Sequence, residues 1–309
     1  MHQSPVTSHR RSSNKLAFWC SGALVLFLFL LIFARFILLR PGVFIEKSKD
    51  GRYQLIVNGR PYFIKGVCYN PAPIGAGYDY DLGEDKSEPW LVDGKLMSEA
   101  GVNTIRLYKS SDNHNGLKKA IGDFYEKYGI RTALGHWLGF WEYPQPFYAD
   151  PEFRERIKKE VLEMVKTYKD EKGILFWILG NENNYSFSGR VNPWVCPEAD
   201  KAEVSEQANI RAKIYYSFVN EIAREIHKID PNHPVVLGNG ELGYLDVAAK
   251  FCPDIDIVGI LIYRGKTFGN IFNGLKSIFD KPLLLVEFGA DSYNSFKKAE
   301  DEEMQSFFL

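Results

Sequence analysis

The chain has 309 residues, 45% of them hydrophobic and 15% aromatic, enough apolar material for a sizeable core and an aromatic share suited to stacking on rings. Its formal net charge of −1 is unevenly placed: residues 1–40 hold Arg10, Arg11, Lys15, Arg35 and Arg40 and no acid, so the remainder carries 33 bases against 39 acids. That acidic remainder excludes a nucleic-acid-binding protein, which needs a basic face.

Leu16–Ala34 is a run of 19 residues without a charge, and Phe36–Leu39 extends it past Arg35. It is long enough to cross a bilayer. A cleaved signal peptide would show a shorter apolar region and small residues at the cut, which Ile32 and Ala34 supply poorly. Residues 16–40 are therefore expected to form an uncleaved transmembrane anchor. Arg10, Arg11 and Lys15 favour a cytoplasmic segment 1–15, while Arg35 and Arg40 pull the other way. On this reading the chain is a single-pass membrane protein, and residues 41–309 are extracytoplasmic, periplasmic or extracellular. Cys20 falls in the anchor, and Cys68, Cys196 and Cys252 are widely spaced. Three thiols allow at most one bridge, and small buried hydrophobes are the simpler reading.

Pro41–Asp50 reads as a connector. Tyr53–Val57 and Tyr62–Ile64 flank Asn58-Gly59, a hairpin turn signal. The second arm leads into a first barrel strand ending near Asn70, then a Gly- and Pro-rich loop and a helix over Leu91–Ala100. From there strands and helices alternate: strand Asn103–Tyr108, helix Gly116–Tyr128, strand Ile130–His136. An aromatic loop, Trp137–Tyr148, precedes a helix opened by Asp150-Pro151, with Phe153, Ile157, Val161 and Val165 on one stripe. The strand Ile174–Leu179 follows, then a polar loop Tyr185–Asp200 and a long helix Ala202–Ile229. Strand Pro234–Leu237, helix Leu242–Phe251, strand Ile257–Tyr263, helix Asn270–Phe279, strand Leu283–Glu287 and a last helix from about Phe296 complete the chain. Alternation of this kind builds parallel sheets. The fold expected is an α/β TIM-type (β/α)8 barrel, preceded by a β-hairpin and lacking the eighth strand, so that 41–309 reads as a barrel incomplete at its C-terminus.

Two stretches carry the chemistry. ILFWIL (Ile174–Leu179) is apolar on both faces, as a central parallel strand must be, and runs into Gly180-Asn181-Glu182. LLLV (Leu283–Val286) repeats the design and runs into Glu287. Carboxylates at the ends of buried strands sit where α/β sheets place their sites. Glycoside hydrolysis needs two of them, one to protonate the leaving oxygen and one to attack the anomeric carbon or activate water.

Asn181-Glu182, Glu287 and Arg106 in NTIRLY resemble clan A of the retaining glycoside hydrolases. VNGRPYFIKGVCYNP (Val57–Pro71) and EFGAD (Glu287–Asp291) are similar to the barrel domain of family 2, the β-galactosidase and β-glucuronidase group. NTIRLYKSSD (Asn103–Asp112) also resembles the family 72 β-1,3-glucanosyltransferases. The resemblance covers roughly Tyr53 to Tyr293. It implies double displacement with retention: Glu182 as general acid and then base, Glu287 as nucleophile, kept ionised by Arg106. It further implies that Asn181 binds the sugar 2-hydroxyl and that Tyr263 steadies Glu287, although an interfacial aromatic is an equal reading of Tyr263.

His136 ends a strand and could touch substrate or be structural. Trp137, Trp141 and Trp194 lie in rim loops and could stack on sugar faces or simply pack. Asn70 and Asn239 belong to the same rim. His114, His136, His227 and His233 show no metal-ligand spacing, and no phosphate-cradling glycine loop or Gly-x-Ser-x-Gly elbow is present, so no metal or cofactor is expected. The expected partners are a β-linked glycan and, through the anchor, a membrane. The alternative is a non-catalytic carbohydrate-binding or scaffold protein on a degenerate barrel, favoured by the missing strand and opposed by the presence of both glutamates.

Overall fold

The computed structural model describes residues 42–77, 79–139, 146–188 and 193–308. The segment 1–15, the anchor expected at 16–40 and Trp141 lie outside the described residues. Among the described residues no helix is long and apolar enough to cross a membrane.

Strands β1 (Val43–Lys47), β2 (Tyr53–Val57) and β3 (Arg60–Pro61) form a small antiparallel sheet. Asn58 and Gly59, with φ of 50° and 73°, make the turn that their sequence calls for. The first strand replaces the connector expected at Pro41–Asp50. Val43 and Ile45 lie opposite Val57 and Leu55, and this apolar face packs on the barrel, an alternation too short to read from sequence.

Seven parallel strands follow: β4 (Gly66–Cys68), β5 (Thr104–Leu107), β6 (Arg131–His136), β7 (Ile174–Leu179), β8 (Val235–Gly240), β9 (Ile257–Leu261) and β10 (Leu283–Glu287). Their spatial order is their chain order, so each crossover places the next strand beside the last. The helices Trp90–Glu99, His114–Tyr128, Pro151–Tyr168, Val204–Ile229, Leu245–Phe251 and Ile271–Ile278 make those crossovers. The result is a nearly closed barrel. Its seam between β4 and β10 is bridged where Cys68 Sγ donates to Val286 O at 3.5 Å. As expected, the sheet has seven strands, and no eighth pairs into it among the described residues.

Strand alternation sorts side chains into two cores. Ile105, Leu107, Leu134, Trp177, Leu179, Leu237, Ile260 and Ile262 face the helices, which return the expected stripe Phe153, Ile157, Val161 and Val165. Ala133, Phe176, Ile178, Val236, Leu261 and Val286 face inward and meet Val43 and Val57 of the hairpin sheet, which plugs the floor. The Asp150 carboxylate accepts from Glu152 N at 3.0 Å and Pro151 occupies the first turn of its helix, as read from sequence.

Several boundaries differ. The strand expected to end at Leu237 continues to Gly240, because Gly238 lets it pass the end of β7: a Cβ there would lie 2.4 Å from Gly180 O. The helix expected from Leu242 begins at Leu245, after Tyr244 in the left-handed region at φ 61°. The last helix begins at Glu302, not near Phe296. Asn294 Oδ1 accepts from the amides of Phe296 and Lys297, which folds that stretch into a turn between Tyr293–Asn294 and Ala299–Glu300.

Candidate active site

The C-terminal ends of the strands gather the polar residues that the barrel interior holds. On β5, Ile105 and Leu107 face the helices, so Arg106 and the following Tyr108 face inward. On β9 the same parity, counted from Ile262, turns Tyr263 into the mouth. On β10 the parity fails. Leu285 packs towards the helices, and Glu287 would share its side but for a register shift between the two. This bulge at Val286 re-aims Glu287 into the barrel.

Three donors converge on the Glu287 carboxylate. Arg106 Nη1 donates to Oε2 at 2.9 Å, Tyr108 OH to the same oxygen at 2.7 Å, and Tyr263 OH to Oε1 at 2.5 Å. The ion pair is enclosed, with side-chain exposures of 6% for Arg106 and 16% for Glu287. Arg106 also lies over the Tyr108 ring, 4.3 Å from its centroid. Burial, then the hydrogen bond to Glu287 and the charges of Glu287, Cys68 and Glu182, push the Tyr263 phenol well above its ordinary value. Burial does the same to Tyr108, with Arg106 opposing it, so both hydroxyls remain proton donors. Burial likewise raises the neighbouring Cys68 thiol.

The other fork of Arg106 reaches the second glutamate's segment: Nη2 donates to Asn181 Oδ1 at 2.7 Å. One guanidinium therefore spans Glu287 and the residue before Glu182. Glu182 itself is half-buried in the left-handed region, with φ 61° and ψ 24°. Its neighbours hold that conformation. Asn183 Oδ1 accepts from Asn181 N at 2.7 Å, and Asn183 Nδ2 donates to Trp137 O and Tyr148 OH. Asn184 exchanges two hydrogen bonds of 2.8 Å with the Gly240 backbone. The charge of Glu182 acts on the Tyr263 hydroxyl that Glu287 accepts from, which links both carboxylates to one group.

The remaining expected residues divide. Half-buried Trp137 borders the site, edge-on to Tyr108 with ring centroids 6.3 Å apart, and Asn70 is exposed on the same rim beside them. His136 does not reach the mouth. It follows Leu134 on the outward face, where Nδ1 accepts from Leu138 N at 3.1 Å and Nε2 lies 3.6 Å from Glu160 of the helix behind. Asn239 also points outward: it is fully buried, Oδ1 accepts from Tyr216 OH at 2.7 Å, and Nδ2 donates to loop carbonyls. Trp194 is fully buried against Tyr148 and offers no face to a sugar. Sequence reasoning passed over Tyr108, Asn183 and Asn184. The parity that singles out Arg106 also selects Tyr108, and the unbroken polar run Asn181–Asn184 after a buried strand marks backbone that needs internal partners.

Among the described residues no group of three or more His, Cys, Asp and Glu is placed to hold a metal ion. A cleft of about 620 Å³ lies at the opposite end, between the hairpin sheet and helix Ile271–Ile278, and contains neither glutamate.

No protein-family model matches the chain. Rat (Rattus norvegicus) β-mannosidase is 27% identical over 173 residues, which are 54% of this chain and 17% of that protein. Mannan endo-1,4-β-mannosidase 1 of Solanum lycopersicum is 22% identical over 300 residues, 79% of this chain and 73% of its own length. Among solved structures, Bacteroides uniformis β-glucuronidase 2 superposes with a TM-score of 0.61 at 18% identity, covering 86% of this chain and 30% of that one. The chain resembles the clan A glycoside hydrolases. The endo-1,4-β-mannanase of Rhizomucor miehei shares the fold over 80% of this chain and 82% of its own, with a TM-score of 0.58 at 16% identity. The chain spans about a sixth of the rat protein's length and under a third of the glucuronidase's.

Proposed function

We propose that this chain is a retaining glycosidase or transglycosylase acting on β-linked glycans, with β-mannosides as the first substrates to try, since two of its relatives are named for them. The observation that carries the reading is the convergence of Arg106, Tyr108 and Tyr263 on Glu287, with the same guanidinium holding Asn181 beside Glu182.

Glu287 attacks the anomeric carbon as the bond to the leaving oxygen breaks, and Glu182 gives that oxygen its proton. The product is a glycosyl ester on Glu287 and a free alcohol. Glu182, now ionised, takes a proton from water or from a sugar hydroxyl, whose oxygen attacks the anomeric carbon and releases Glu287. Arg106, Tyr108 and Tyr263 orient the attacking carboxylate and receive its charge again on departure. Asn181 meets the 2-hydroxyl and Trp137 stacks on the sugar from the rim. Residues 16–40 anchor this catalytic unit, 41–309, to a membrane with the barrel on the extracytoplasmic side.

Proton NMR of the first-formed hemiacetal from an aryl β-mannoside tests the reading. A β product that later mutarotates supports retention, and an α product rejects it. Glu287→Ala abolishes turnover if Glu287 is the nucleophile, and external azide restores release of the aryl alcohol through an inverted glycosyl azide. A Glu287→Ala chain that keeps full activity overturns the assignment.

A further inference from the structure

The end of the barrel opposite Glu182 and Glu287 is the one that the described chain enters first. Val43 N donates to Asn232 O at 2.8 Å, and Gly42 lies against Asn232, just before β8 begins. In sequence only Arg40 and Pro41 separate Gly42 from the apolar stretch that ends at Leu39. Two residues reach at most about 7 Å. A barrel tethered in this way has its floor at the bilayer surface and its mouth on the far side.

The floor carries the matching chemistry. Arg60 and Lys65 are exposed, and Phe63 stands between them at 79% exposure. The backbone beneath Phe63 is fixed, because Asn103 Nδ2 donates to Phe63 O at 2.8 Å and Lys65 N donates to Asn103 Oδ1 at 2.9 Å. An aromatic ring held out between two cations matches the headgroup region of a membrane, where rings sit at the boundary and bases reach the phosphates. At the far end of the hairpin Arg52 pairs with Asp50 and Lys47 with Asp280, so the unbalanced positive charge of this face is centred on Arg60 and Lys65. One mouth loop has the opposite sign: the segment after β4 carries Asp79, Asp81, Glu84, Asp85 and Glu88 against Lys86.

We propose that the floor of the barrel docks on an anionic phospholipid surface, with Phe63 at the headgroup boundary and Arg60 and Lys65 on lipid phosphates, so that the catalytic mouth faces away from the bilayer. The docking rests on the anchor at 16–40 and is independent of the glycosidase chemistry. A charged surface attracts such bases over roughly 8–10 Å at physiological salt, so the short tether favours the contact.

The full chain, reconstituted in vesicles of phosphatidylcholine with or without phosphatidylglycerol, tests this with a benzophenone amino acid at position 63 or at position 74. Ile74 is fully exposed on the mouth loop and serves as the distal site. Illumination adds a phospholipid mass at position 63 and none at 74. The yield at 63 falls when phosphatidylglycerol is left out, and about fivefold for each of Arg60→Gln and Lys65→Gln. Unchanged thermal unfolding of these variants shows that the fold is intact. Equal labelling at 63 and 74, no lipid at 63, or a yield indifferent to lipid charge overturns the docking while leaving the anchor standing. A chain released from the vesicles by carbonate overturns the anchor and the docking together.

Discussion

Arg106 is the point at which the two halves of the site are joined, and Arg106→Lys tests whether the join matters. Lysine keeps the positive charge but concentrates it on one nitrogen. It can replace the 2.9 Å bond to Glu287 or the 2.7 Å bond to Asn181, and it cannot hold both in the planar geometry of the guanidinium. A hydrogen bond to a charged group contributes about 1.5–3 kcal/mol. Exposures of 6% and 16% leave little solvent to substitute for it. If that energy is realised in the transition state, kcat falls roughly 10- to 150-fold. Initial rates on an aryl β-glycoside, with urea unfolding alongside, separate this from simple destabilisation. A variant with lowered kcat and a fold stability within about 2 kcal/mol of the parent supports a positioning role. Arg106→Lys with parental kcat would refute the argument, since the bridge to Asn181 would then be dispensable.

Tyr263→Phe removes the donor to Glu287 Oε1 and should lower kcat by about tenfold with little change in KM; unchanged kcat removes Tyr263 from the site. Gly238→Ala places a Cβ 2.4 Å from the Gly180 carbonyl, a backbone atom that cannot step aside, and should cost about 1–3 kcal/mol in urea unfolding. His227 is held above its ordinary value chiefly by its hydrogen bond to Asp256, with burial opposing. Its contribution to stability is therefore complete below the unfolded value of about 6.5 and disappears as pH rises through the raised folded value. The gap in unfolding midpoint between parent and His227→Gln should be wider at pH 5.5 than at pH 8.5, and an equal gap at both would show that the ion pair adds nothing.

The sequence exposes what breaks a pattern and hides what obeys one. Arg106 is legible because a guanidinium between Ile105 and Leu107 cannot face the helices that they face. Tyr108 lies on the same inward side, but an aromatic at a strand end fits an apolar core equally well. His136 and Asn239 illustrate the opposite error. A strand-end position places a residue at the rim without saying which wall it faces, and counting from Leu134 and Leu237 puts both against the helices. Glu287 obeys neither rule. By parity with Leu285 it belongs outside, and only the bulge at Val286, which alternation does not foretell, brings it in. The floor was the least legible part, since strands as short as Val43–Lys47 leave too few alternations to set against a connector.

The backbone of Glu182 shows how a frame of strands holds one strained residue. A left-handed conformation in a residue with a side chain costs of order 1–3 kcal/mol and persists only where neighbours over-determine it. Here the neighbours are three asparagines, each tied to a different part of the barrel. Asn181 is tied to Arg106 of β5, Asn183 to the Trp137 carbonyl after β6, and Asn184 to Gly240 at the end of β8. At about 1 kcal/mol each, these bonds offset the strain. The loop therefore takes its position from the strands around it. Glu287 takes its own from β10 and from the same Arg106. Arg106 is thus a side chain that both segments share, so a shift of β5 relative to its neighbours is felt at Glu287 and at Asn181 alike.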